Sequence, residues 1–93
     1  MNLPTAQQFC KGQSEGPDGK KCTTEWRRIH FDTHHVPYKT WMAFFAIWHR
    51  HANDLGIPQS QFTVLTRNDH PDTTYAQLAS AFARTVREME VAR

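Results

Sequence analysis

The sequence predicts a mainly α-helical protein that forms a single domain of 93 residues. Two segments carry the apolar periodicity of amphipathic helices, at about residues 37–55 and 73–91. The first third, residues 1–36, is interrupted by glycines and a proline, so we expect an irregular or hairpin-like segment packed beside the helices. A short element at about 58–67 completes the prediction.

The N-terminal third is organised around a turn. Gly16-Pro17-Asp18-Gly19 is a strong reverse-turn signal, flanked by two short extended arms or by a plain loop. If it is a hairpin centred on this turn, Cys10 lies opposite a residue near position 25, and no direct disulfide to Cys22 is expected. Residues 26–31 fit one helical turn almost as well as a strand end, and we favour the helix.

The first principal helix has clear signals at both ends. Pro37 suits the first helical position, because its fixed φ is already helical and its missing N–H is not needed there. At the other end, Gly56 can adopt the left-handed cap, Ile57 can pack back on the last turn, and Pro58 prevents continuation. These signals predict a helix over about 37–55.

The remaining elements differ in how well the sequence defines them. Residues 58–67 suit a short helix or a strand, and intrinsic propensity does not decide between them. The last helix is better defined, since Thr74 can cap it together with Gln77. Its predicted buried stripe consists of Tyr75, Leu78, Ala79, Phe82, Val86 and Met89.

The run from Trp41 to Trp48 contains eight successive apolar residues, more than a one-sided stripe requires. Met42 and Ile47 fall well outside the arc that faces the core, so the helix is apolar nearly all round. We therefore expect a partner surface, most simply a second copy of the chain, unless the other segments cover the helix within one monomer. The predicted partner-binding residues are Trp41, Met42, Phe45, Ile47 and Trp48.

A helix-turn-helix DNA-binding regulator is the alternative. Ala52, Gly56 and Leu65 have the relative spacing of such a motif, in which Gly makes the turn between two packed helices. Pro58 inside the turn and a net charge of only +2 argue against it. Its polar reading face, able to contact bases and phosphates, consists of Gln59, Ser60, Gln61, Thr63 and Arg67.

A zinc-stabilised binding module is a further alternative. Cys10, Cys22, His30 and either His34 or His35 supply the thiolate and imidazole ligands that zinc prefers. Their spacing is poor, because structural zinc sites usually bring ligands in pairs two to four residues apart. Free thiols and surface histidines are the simpler interpretation.

The sequence contains no coherent catalytic set, neither a nucleophile-elbow serine nor a glycine-rich phosphate loop. Residues 1–5 lack the basic and apolar pattern of a secretion signal, and no apolar run is long enough for a membrane helix. We therefore predict a cytoplasmic, non-catalytic regulatory protein of the inhibitor or anti-activator type. It is predicted to be a homodimer without a cofactor.

Overall fold

The computed structural model describes residues 3–59 and 63–91. Its helices are α1 (Thr23–Thr33), α2 (Tyr38–Asp54), α3 (Val64–Asp69) and α4 (Tyr75–Val91), preceded by short 3-10 turns at Ala6–Gln8 and Pro17–Gly19. The prediction of a mainly α-helical protein is confirmed. None of these helices combines the length and the hydropathy of a segment that spans a bilayer.

The core lies between α2 and α4, the two helices with the clearest periodicity. Ile57 packs back as predicted, and its N–H donates to the carbonyl of Ala52 at 2.9 Å. Gly56, with φ +78°, takes the left-handed conformation that this cap requires. The buried core residues of the two helices are Phe44, Trp48, Ala52, Leu78, Ala81, Phe82, Val86 and Met89.

The start of α4 is held by the predicted capping box. The Gln77 N–H donates to the Thr74 hydroxyl at 3.0 Å, and the Thr74 N–H donates to the Gln77 side-chain oxygen at 2.8 Å. The Gln77 amide nitrogen also donates to the Leu55 carbonyl at 3.0 Å. The same side chain therefore caps α4 and fastens it to the end of α2.

The N-terminal third is irregular, and its backbone pairing differs from a simple hairpin. Residues 17–19 form a tight turn that an antiparallel bridge between Glu15 and Lys21 flanks, as in a hairpin, but Lys21 also pairs with Phe9 in a parallel bridge, which a hairpin alone does not provide. The expected register of Cys10 opposite residue 25 is therefore wrong. Residues 26–31 lie inside α1, so the helical interpretation of that segment is confirmed.

Asn68, near the end of α3, joins three parts of the chain. Its side-chain oxygen accepts from the Thr23 N–H at 3.0 Å and from the Thr23 hydroxyl at 2.6 Å, and its nitrogen donates to the Cys10 carbonyl at 3.0 Å. The side chain is fully buried, so these groups have no access to water as a substitute partner. Asn68 thus links α3 by hydrogen bonds to the N-terminal segment and to the first turn of α1.

Arg67 binds α3 to the end of α2 and to the loop that follows it. Its buried guanidinium donates to the carbonyls of Pro58 and Ile57 at 3.2 and 2.9 Å, and to the Asn53 side-chain oxygen at 2.8 Å. It also lies 3.0 Å from Nδ1 of His49. A guanidinium cannot accept, so His49 accepts here with an unprotonated Nδ1. Burial, and secondly the charge of Arg67, lower the pKa of His49.

We expect Asn68→Ala to lower the free energy of unfolding by about 2 to 4 kcal/mol, because it leaves buried groups of Thr23 and Cys10 without partners. Urea unfolding followed by circular dichroism measures the change. Gln7→Ala, which removes an exposed amide, is the control and is expected to change stability by less than about 0.5 kcal/mol. Equal effects of the two substitutions would contradict the role assigned to Asn68.

His49 predicts a pH dependence of stability. Because the pKa of His49 is lower in the folded chain than its ordinary value near 6.5, the unfolded chain takes up the proton first as pH falls. Stability contributed by neutral His49 is therefore present above about pH 6.5 and decreases below it. Urea midpoints at about pH 7.5 and about pH 5.5 test this, and His49→Gln should reduce the difference between them. An unchanged difference in the variant would refute the assignment.

Candidate functional site

The exposed flank of α2 carries what we call the aromatic patch, formed by Tyr38, Trp41, Met42 and Phe45. At 100° per residue these side chains fall within one arc about 100° wide, beside the stripe that enters the core. Tyr38 is 70 % exposed and Met42 45 %, whereas Trp41 and Phe45 are half-buried. The Tyr38 and Trp41 rings stack with their centroids 5.9 Å apart. The patch is therefore continuous along two turns of the helix.

A buried arginine of α1 lies beneath the aromatic patch. The Arg27 guanidinium carbon is 3.8 Å from the Trp41 ring centroid and 3.9 Å from that of Phe45. One guanidinium nitrogen donates to the Trp41 carbonyl at 3.1 Å. Cation–π contacts of this kind contribute about 0.5 to 2 kcal/mol each, so Arg27 holds both rings in place.

The charge of Arg27 is not balanced by a carboxylate. Its side chain is only 3 % exposed, and none of the ion pairs among the described residues includes it. Its Nε is buried without a hydrogen-bond partner, and burial lowers the pKa of the group. The aromatic patch is thus a rigid apolar surface with an uncompensated positive charge directly below it.

The structure brings together three of the five predicted partner-binding residues. Trp41, Met42 and Phe45 belong to the patch, but Trp48 is fully buried in the core and cannot contact a partner. Ile47 lies about 140° around the helix from Met42 and is half-buried on the opposite flank. The prediction that Trp48 contacts a partner is therefore wrong, because the rest of the chain covers it within the monomer.

Sequence reasoning missed two residues of this surface. Tyr38 precedes Trp41 and Met42 by three and four positions, so helical spacing alone could have placed it on the same face. Arg27 could not have been found in this way, because it belongs to another helix and only tertiary packing brings it to α2.

The described residues of the predicted DNA-reading face, Gln59, Thr63 and Arg67, do not lie together on one exposed helix face. Ser60 and Gln61 lie outside the described residues, and α3 begins only at Val64, with Thr63 as its cap. Gln59 lies in the preceding loop. Arg67, expected to reach a phosphate, is buried and points toward α2, because four acceptors at the α2–α3 junction bind its guanidinium. The expected exposed position of Arg67 is therefore wrong.

The predicted zinc ligands lie at different places. Cys10 and Cys22 are buried, free thiols at the start of α1, whereas the rings of His30 and His34 stack 4.3 Å apart near its other end. His35 is exposed beyond the helix. In the part of the chain that the structure describes, no three His, Cys, Asp or Glu side chains form a possible metal-binding group. The four proposed ligands are not brought together.

No protein-family model, no curated protein and no solved structure matches this chain. The aromatic patch and the residues that support it are therefore the basis for assigning a function.

The two buried arginines should respond differently to replacement by methionine, which has a similar length but no charge. Arg27→Met should change the free energy of unfolding by less than about 1 kcal/mol, because relief of a buried charge without a carboxylate partner offsets the loss of its cation–π contacts and of its hydrogen bond to Trp41. Arg67→Met should cost about 3 kcal/mol, because the buried carbonyl of Ile57 and three partly buried acceptors lose their donor. Urea unfolding of both variants measures the contrast, and a larger loss for Arg27→Met would contradict it.

Proposed function

We propose that the protein is a non-catalytic regulatory module that binds another protein through the aromatic patch, as an inhibitor or anti-activator does. The observation that carries the proposal is the combination of two exposed apolar side chains, Tyr38 and Met42, with two rings held rigid by Arg27. In the absence of that partner, two copies pair through the same patch as a homodimer.

The composition of the patch supports an interface. Tyr, Trp, Phe and Met are enriched at the centres of protein interfaces, where they bury much area with few rotatable bonds. Because Arg27 already fixes Trp41 and Phe45, binding does not have to order these rings, and less conformational entropy is lost on association. Among the residues that the structure describes, the other exposed large apolar side chains lie outside α2, at Leu65, Tyr75 and Val91.

The charge below the patch indicates which partner fits it best. A partner with an apolar surface and a nearby carboxylate gains electrostatic attraction from Arg27, which has no carboxylate of its own. In a homodimer two Arg27 side chains approach each other instead. The homodimer is therefore the weaker of the two complexes, and the partner protein displaces it.

Among the described residues, no contact favours the DNA-binding alternative and no set of zinc ligands is assembled. Neither alternative is therefore proposed as the function. The absence of catalytic activity and the cytoplasmic location remain predictions from the sequence.

A double variant tests the patch against a matched control. Tyr38→Ala with Met42→Ser removes the exposed part of the patch, whereas Tyr75→Ala with Leu65→Ser removes side chains of equal type or size elsewhere, 45 % and 50 % exposed. Tyr38 and Tyr75 are each the first residue of a helix, which makes the pair well matched. Sedimentation velocity over a concentration series should show a dimer dissociation constant raised about tenfold or more in the patch variant only.

Two outcomes would refute the proposal. A wild-type protein that remains monomeric at every concentration excludes the homodimer. Retention of the same cellular protein, in equal amount, by the patch variant and by the control variant excludes the patch as the binding surface.

A further inference from the structure

Cys10 and Cys22 are neighbours across a backbone pairing. The Cys10 N–H donates to the Lys21 carbonyl at 3.1 Å, and the Lys21 N–H donates to the Gln8 carbonyl at 3.0 Å. These bonds define the parallel bridge between Phe9 and Lys21, so residues 10 and 22 are the next pair along the two segments. Paired parallel segments run about 4.8 Å apart, and side chains of neighbouring residues point to the same side. A disulfide needs Cα atoms about 4.4 to 6.8 Å apart.

The backbone hydrogen bonds between the two segments end after the pair formed by Cys10 and Cys22. The next bond of a regular parallel ladder would join the Thr23 N–H to the Cys10 carbonyl. The Asn68 carboxamide occupies that place, accepting from the Thr23 N–H and donating to the Cys10 carbonyl, at 3.0 Å in both cases. The backbones of the two cysteines are therefore held side by side at both ends. Lys21 binds Cys10 on the N-terminal side of the pair, and Asn68 binds Cys10 and Thr23 on the C-terminal side.

The two thiols share one buried environment. Cys10 is 6 % exposed and Cys22 2 %. Burial raises the pKa of the Cys10 thiol, and negative charge on Cys22 raises it further. The Cys10 thiol donates to the Gln13 carbonyl at 3.3 Å, so the loop that follows Cys10 covers the pair.

We propose that Cys10 and Cys22 form a reversible intramolecular disulfide by exchange with a small disulfide of the oxidised glutathione type. One protein thiolate attacks a sulfur of the oxidant, forming a mixed disulfide and releasing one reduced glutathione. The second thiolate then attacks the protein sulfur of the mixed disulfide and releases the second glutathione. Two protein thiols are oxidised, one glutathione disulfide is reduced to two thiols, and the thiol protons pass to these products.

The bond closes residues 10–22 into a ring that contains the turn at Pro17–Gly19. It ties the N-terminal segment covalently to the residue that precedes α1, the same connection that Asn68 makes by hydrogen bonds. The aromatic patch is not part of this ring, so the proposal is independent of the proposed function.

Equilibration in glutathione redox buffers tests the proposal on the intact chain. Folded protein and protein unfolded in urea are incubated at a series of reduced-to-oxidised ratios, quenched with acid, alkylated and analysed by mass spectrometry. Because the fold holds the cysteines together, the equilibrium constant for the intramolecular disulfide should be at least tenfold larger in the folded chain. A constant equal to or smaller than that of the unfolded chain would overturn the proposal, as would oxidation only to intermolecular dimers or mixed disulfides.

The single variants Cys10→Ser and Cys22→Ser are the controls. Each should stop at the mixed disulfide with glutathione, because no second thiolate is present to displace it. Thermodynamic linkage gives a second readout: if folding favours the disulfide, the disulfide favours folding to the same extent. Oxidised wild-type protein should therefore unfold at a higher urea concentration than the reduced form, and a lower midpoint would contradict the proposal.

Discussion

The arrangement of the whole chain depends on two adjacent buried polar side chains, Arg67 and Asn68. A six-residue helix such as α3 is far too short to be stable alone, since isolated helices below about 12 residues are marginal in water. Arg67 binds it to the end of α2 and the loop that follows, and Asn68 binds it to Thr23 and Cys10. Buried polar groups without partners are costly, so we expect the contacts of Arg67 and of Asn68 to form together. These contacts hold the N-terminal segment and the start of α1 against α3.

The position of α1 in turn decides what α2 exposes. With its start fastened to α3, α1 presents Arg27 to the flank of α2, where the guanidinium packs against Trp41 and Phe45. The adjacent face of α2, which carries Phe44, Trp48 and Ala52, is buried in the core that α2 shares with α4. Tyr38 and Met42 are then the large apolar side chains of this helix that stay most exposed. The candidate interaction surface is thus a consequence of the packing around α3, although no residue of α3 belongs to it.

The cysteine pair shows what local sequence signals do not predict, namely which distant residues pair in the folded chain. The turn signal at residues 16–19 correctly predicted a reversal of the chain, which an antiparallel bridge between Glu15 and Lys21 flanks, but it did not predict that Lys21 would also pair with Phe9. A hairpin register separates Cys10 from Cys22, whereas the parallel bridge brings them together. Asn68, more than 40 residues along the chain from Thr23, stabilises this pairing by binding the Thr23 N–H and the Cys10 carbonyl, and no local pattern contains that information.

The sequence by itself determined the helical class and the limits of the two principal helices, because periodicity, the Gly56 cap and the Thr74–Gln77 capping box are local properties of the chain. It also indicated that α2 has more apolar surface than one core requires. Tertiary structure alone decided which part of that surface remains exposed, since burial depends on the neighbours that approach each flank. In the folded chain Trp48 lies in the core, and the Arg67 guanidinium binds acceptors at the α2–α3 junction. Arg27, which belongs to α1, packs beneath the aromatic patch of α2.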